Sequence, residues 1–129
     1  PPADEPPSAP PRQSMALSTP RQLSHSYLVV HSKLRLPALV AFLATLGTSK
    51  AVVFMSTCDG VDYHARLFAE CGSVLGGARG QGLFGARKIL RMHGGVPAEE
   101  RRSALAAFAA SPGCVLIATD VAARGLNLP

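Results

Sequence analysis

Charged residues are scarce in this 129-residue chain, at 16% against 47% hydrophobic residues. That balance excludes both a disordered acidic tail and a coiled coil. Long apolar runs are lacking too. Every hydrophobic stretch meets a charge, Gly or Pro before it is long enough to span a bilayer, so no membrane partner is expected. The opening residues, Pro1-Pro2-Ala3-Asp4-Glu5, have none of the basic-then-apolar character of a secretory signal. Cysteine is limited to Cys58, Cys71 and Cys114, too few and too scattered for a disulfide framework or a zinc module. They read as small buried apolar residues in a reducing compartment. The histidines at 25, 31, 64 and 93 have no metal-ligand spacing, so no metal site is expected.

What is present is a basic excess, net charge +5 with a pI near 9.7, which suits a polyanionic partner if the charge is clustered. No acidic residue lies between Glu70 and Glu99, whereas Arg79, Arg87, Lys88 and Arg91 all do. Such a run is either a solvated face or a nucleic-acid surface. Residues 1–22 hold seven of the eleven prolines, which favours extended polyproline-like backbone over a core. They read as a linker or tail, with a proline-recognition ligand as the functional alternative. Residues 23–129 form the folded unit.

Within that unit, short β-prone runs alternate with helical stretches. Ser26–Val30, Ala51–Met55, Lys88–Met92 and Cys114–Ala118 predict strands, and their near-continuous apolarity suggests burial on both faces of a parallel sheet. Leu36, Leu39, Val40, Leu43 and Leu46 predict a first helix that starts at a Ser32 cap or at Pro37 and stops at Gly47. A second helix places Val61, His64, Ala65, Phe68 and Cys71 on one face, after a cap at Ser56, Thr57 or Asp59, and ends at Gly72. A third begins at Pro97, carries Glu99 and Glu100 where the dipole favours acids, and buries Leu105 and Phe108 before Pro112-Gly113. The order implies an α/β three-layer fold with a parallel sheet. Residues 72–87, Gly-rich and aperiodic, predict a long loop, either functional or a plain insertion.

Ligands of such sheets bind beyond the carboxyl ends of the strands. Ser56-Thr57, His93-Gly94-Gly95 and Thr119-Asp120 occupy those places, with hydroxyls and free backbone N–H groups suited to an anion such as phosphate. The plainer reading is that they cap helices and turns. No Gly-x-Gly-x-x-Gly turn follows the first strand, and the Gly80–Lys88 stretch does not end in Gly-Lys-Ser/Thr, so a complete ATPase is not expected from this chain. His93 suits a turn hydrogen bond better than acid–base work, and Cys58, near a helix start, has no base at a recognisable spacing.

Ile117-Ala-Thr-Asp-Val-Ala-Ala-Arg-Gly-Leu-Asn-Leu-Pro129 resembles the fifth motif of the DEAD-box RNA helicases, with nine successive matches from Ala118 to Leu126. Met92-His-Gly-Gly-Val-Pro-Ala-Glu-Glu-Arg-Arg102 resembles their His-Gly and Pro-Gln-x-x-Arg segment, and Ala51–Thr57 their fourth motif. His25–Leu36 is similar to the start of the second RecA-like domain in the subgroup that assists large-ribosomal-subunit assembly. The resemblance implies the C-terminal RecA-like domain of the P-loop NTPase type, cut short at its C-terminus, in an enzyme that uses ATP and Mg2+ to remodel RNA duplexes. It points to pre-ribosomal RNA as partner and to the nucleus and nucleolus.

By the same resemblance, Thr119 contacts an RNA phosphate, with Gly94, Gly95 and Arg101 on the same backbone-binding face and Ser56 and Thr57 in support. Contacts of that kind give affinity and salt dependence rather than sequence readout. Arg124 and Gly125 shape the loop between RNA and nucleotide, and Asn127 stands where an Asp normally bonds the ATP ribose. Two departures, Asn127 for Asp and Ala98 for Gln, bear on coupling more than on fold. The phosphate loop and the Asp-Glu-Ala-Asp signature of a first domain in cis, which holds most of the ATP and Mg2+, belong before Pro1, and the arginine-rich sixth motif after Pro129. The chain alone is therefore expected to be inactive. A non-catalytic RNA-binding or scaffold protein is the competing reading, and a methyltransferase-like domain would need the absent glycine turn.

Overall fold

The computed structural model describes residues 23–74 and 87–124. The linker assigned to 1–22 and most of the 72–87 loop lie outside them, as do Gly125 and Asn127. A 3-10 turn, Ser32–Leu34, leads into α1 (Arg35–Thr45), followed by β1 (Ala51–Met55), α2 (Cys58–Val74), β2 (Lys88–Met92), α3 (Ala98–Ala110), β3 (Cys114–Thr119) and α4 (Asp120–Ala123).

The three strands form a parallel sheet in the order β1-β3-β2. The β1-α2-β2 connection steps over the place that β3 later fills, and β2-α3-β3 steps back. Crossovers of one hand made in opposite directions put their helices on opposite faces. Accordingly Val115 and Ile117 pack with Leu43 of α1 and with Val61 and Phe68 of α2, whereas Cys114, Leu116 and Ala118 pack with Phe108 of α3. The three-layer α/β architecture is as expected, and its sheet is RecA-like in layering and strand direction.

Of the three described strands, only β3 is buried on both faces, along its whole length. Full burial of side chains such as Val115, Leu116 and Ile117 contributes about 1.5–3 kcal/mol each before chain entropy is counted. The expectation of two-sided burial fails for the flanking strands: Phe54 of β1 is 56% exposed, and Lys88 and Arg91 of β2 face solvent. Each of these strands pairs on one side only among the described residues, and an outer strand keeps part of its surface in water.

Ser26–Val30 is not a strand. The segment has no regular secondary structure and no strand partner among the described residues, with Tyr27 92% and Val29 85% exposed. β-branched and aromatic residues make a strand only beside a neighbour that supplies ladder hydrogen bonds, and no described strand does so here. The first helix begins neither at Ser32 nor at Pro37. His31 caps the 3-10 turn by accepting the Lys33 N–H at Nδ1, and α1 starts at Arg35. Pro37 is then the third helical residue, where its missing N–H is one the helix start leaves unpaired anyway. Gly47 ends the region as expected, with a φ of 56°. Gly72 does not end α2, which runs on to Val74; no described glycine but Gly47 has a positive φ, and without one an interior glycine weakens a helix but does not stop it. Pro97 precedes α3 as its cap, and Cys58 is exposed rather than buried.

The amino-terminal edge of the sheet is closed by basic side chains on carbonyls of the helix ends and of the loop before β1. Arg87 donates to the carbonyls of Leu43 and Ser49, and Lys50 Nζ to that of Ala109 at 3.0 Å while lying over the Phe108 ring. Cations there also meet the negative ends of α1 and α3. Gly113 makes this closure possible, since a Cβ on it would lie 1.9 Å from the Thr48 carbonyl oxygen. A Gly113→Ala substitution is therefore expected to lower unfolding free energy by about 1–3 kcal/mol in chemical denaturation. Gly94→Ala, whose Cβ meets nothing within 4 Å, should stay within about 0.5 kcal/mol.

Candidate functional site

Because all three strands are parallel, their carboxyl ends share one edge of the sheet. The register sets Met55 beside Thr119 and Met92 beside Ala118. Ser56-Thr57, Thr119-Asp120 and His93-Gly94-Gly95 thus leave adjacent strands at one level, spaced by about 4.8 Å per strand. The three loops singled out in the sequence come together, with Thr119 in the middle.

Thr119 is 6% exposed and caps α4: its Oγ1 accepts the Ala122 N–H at 3.3 Å. Thr57 does the same for α2, accepting the Gly60 N–H at 3.0 Å. Both hydroxyls serve as caps, and each keeps its own proton to donate, with no acceptor among the described residues. Ser56 is exposed beside Thr57. Arg124 pairs with Asp120 at 3.2 Å on the surface.

Arg101 lies on the inward face of α3, in line with Leu105 and Phe108 at helical spacing, near the end of the helix that adjoins the sheet's carboxyl edge. Neighbouring arginines occupy the acids around it: Glu99 pairs with Arg102, and Glu100 with Arg91 at 3.7 Å. The Nε of Arg101 is buried with no hydrogen-bond partner among the described residues. An unpaired buried donor costs about 1–3 kcal/mol, so a guanidinium in this state fits a site that an anion completes. Ala98, at the start of the same helix, is exposed and adds no polar group.

His93 is 5% exposed and forms a turn hydrogen bond, as the sequence suggested: the Gly95 N–H donates to its Nδ1 at 3.2 Å. Its Nε2 lies 3.1 Å from Asp62 Oδ1. Since Nδ1 accepts, the proton belongs on Nε2, where Asp62 accepts it. Asp62 also takes Arg91 as an ion-pair partner. Sequence reasoning missed Asp62, because its partners lie 29 and 31 positions away and no local spacing joins them.

The basic run is divided differently from either sequence reading. Arg79 lies outside the described residues. Arg87 and Lys88 sit at the amino end of β2, about 13 Å or more from the carboxyl edge at strand rise, and Arg91 is held by Asp62 and Glu100. Among the described residues no group of three or more His, Cys, Asp or Glu side chains is arranged to hold a metal ion, and no helix is long and apolar enough to cross a membrane.

Burial pushes the Asp62 carboxyl up, but the hydrogen bonds from His93 and Arg91 and the Arg91 charge outweigh it and hold the group below its ordinary 3.8. A carboxyl lowered in the folded state adds stability that is complete above its unfolded value and is lost as pH falls through the folded one. Replacing Asp62 by Asn should therefore flatten the decline of stability below about pH 4, measured by urea unfolding across pH, relative to the parent chain.

Residues 34–129 match the family model of the helicase conserved C-terminal domain. Three curated relatives illustrate the similarity. The human ATP-dependent DNA helicase DDX31 is 39% identical over 122 residues, an alignment covering 88% of this chain and 14% of the relative. DEAD-box ATP-dependent RNA helicase 17 of Oryza sativa subsp. japonica is 35% identical, over 85% of this chain and 20% of its own length. The ATP-dependent RNA helicase dbp7 of Schizosaccharomyces pombe is also 35% identical, over 85% and 19%. The chain thus spans about a fifth or less of these relatives. With the three-layer parallel sheet, these matches show that the chain belongs to the helicase conserved C-terminal domain family, as a RecA-like domain of the DEAD-box type.

Proposed function

We propose that this chain, through residues 23–129, supplies the C-terminal RecA-like half of an ATP-dependent RNA helicase and grips the RNA backbone along the carboxyl edge of its sheet. One observation carries the reading: the Thr119, Thr57 and Gly94-Gly95 loops meet at that edge, and the first turn of α3 carries Arg101, whose buried Nε has no partner among the described residues. Hydroxyl protons, the Gly94 N–H and a guanidinium are donors suited to phosphate oxygens, and none of them reads a base. The names of the relatives from rice and fission yeast support RNA as substrate and ATP as the energy source. The likeness of His25–Leu36 to the large-ribosomal-subunit group supports pre-ribosomal RNA and a nucleolar location.

ATP supplies a hydrolysable phosphoanhydride when bound between two RecA-like domains. Of the residues assigned to that side, Arg124 is described, exposed at the end of α4 and paired with Asp120, which suits a loop at the domain surface. A first domain in cis would hold most of the ATP and its Mg2+. The competing scaffold reading is motivated by Asn127 and Ala98, which replace an acid and an amide of the family pattern.

Replacing Thr119 by Val or Arg101 by Ala in the full-length protein is expected to weaken single-stranded RNA binding about equally for all sequences. The Arg101 change should also reduce the slope of log affinity against log salt by about 1. An unchanged affinity in both variants rejects the assigned face. In ATPase assays, residues 1–129 alone are expected to show no turnover, and the full-length protein RNA-stimulated turnover. A full-length protein that binds RNA without hydrolysing ATP supports the scaffold instead.

A further inference from the structure

The His93 ring is held from two sides by groups with opposite demands. Asp62, an ionised carboxylate, can only accept, and it faces Nε2 at 3.1 Å; the Gly95 N–H can only donate, and it faces Nδ1 at 3.2 Å. In the other tautomer an Nδ1–H would point at the Gly95 N–H, two donors face to face, while Asp62 would meet a bare lone pair. The acceptor on α2 therefore selects the form of the imidazole that the turn after β2 needs. Ring and turn are also in contact, since a Cβ on Gly95 would lie 3.2 Å from both Cε1 and Nδ1. Gly94, by contrast, is exposed, and a Cβ on it would meet nothing within 4 Å.

We propose that Asp62 is a positioning residue for RNA-backbone binding: through Nε2–H of His93 it fixes the ring whose Nδ1 holds the Gly94-Gly95 turn in place. The proposal rests on the RNA-backbone reading above and adds to it a residue from α2 that touches no RNA. Arg91 from β2 donates to the same Oδ1 and is itself paired with Glu100 of α3. The turn is thus tied to α2 through the ring. Within this network the bond to His93 acts on the turn, whereas the pair with Arg91 acts only on the carboxylate.

The test uses four variants of the full-length protein, Asp62→Ala, Asp62→Asn, Arg91→Met and Thr119→Ala, with two measurements: backbone hydrogen exchange across residues 93–96 and affinity for a single-stranded uridine oligonucleotide. Asp62→Ala is expected to speed exchange in that segment and weaken RNA binding about three- to tenfold, the scale of one lost hydrogen bond. Asp62→Asn, whose amide oxygen still accepts from Nε2–H, should restore both, and Arg91→Met should leave both near the parent values. If Asp62→Asn and Arg91→Met reproduce Asp62→Ala, the ion pair is what matters and the proposal is wrong. Unchanged exchange in Asp62→Ala also overturns it. Faster exchange with unchanged RNA affinity, while Thr119→Ala still weakens binding, overturns the positioning role and leaves the RNA face standing. If Thr119→Ala has no effect either, the RNA reading fails and the proposal falls with it.

Discussion

The two-sided burial of β3 is the constraint on which the rest of the structure depends. Cys114-Val-Leu-Ile-Ala118 offers no side chain that water could solvate, so both faces of the strand must be covered, one by α1 and α2 and the other by α3. Its backbone groups need partners too, and β1 and β2 provide them in parallel register. Once the three strands run in parallel, their carboxyl ends have to open on the same side. Thr119 closes the strand as its sole polar side chain, buried up to its hydroxyl, and takes the central place at that edge.

Electrostatics divides the molecule along the strand axis. At the amino edge Arg87 and Lys50 are spent on backbone carbonyls, where they close the fold and have little left for a partner. Along β2, Arg91 is matched by Asp62 and Glu100. At the carboxyl edge the pattern reverses, because Glu99 and Glu100 answer to other arginines and the buried Nε of Arg101 has no partner among the described residues. The net charge of +5 is a poor guide to where an anion would sit. Which cations have already found internal partners decides that.

Much of the fold was legible in the sequence because the relevant signals are local. The apolar runs at 51–55, 88–92 and 114–118 are strands, the loops after them hold the candidate donors, and Thr57 and Thr119 cap helices as their positions suggested. The Ser26–Val30 run failed because a strand needs a neighbour, and β propensity has nothing to say about whether one is there. Gly72 misled for a related reason: a glycine ends a helix only when the chain takes a left-handed turn at that point, as Gly47 does. The link from Asp62 to His93 carried no signal at all, joining residues on separate elements.

By itself, the sequence determined the α/β class, the order of the elements from the first helix to the strand at 114–118 and the family, since hydrophobic periodicity, turn residues and contiguous motifs are properties of neighbours along the chain. Tertiary structure alone decided the strand order, the meeting of three distant loops at one edge, the absorption of Arg87 and Arg91 and the exposed state of Cys58. It also set the tautomer of His93 through a carboxylate from another helix. Each of those outcomes turns on which groups come within a hydrogen bond of one another. That distance is a property of the packed chain, and spacing along the sequence does not encode it.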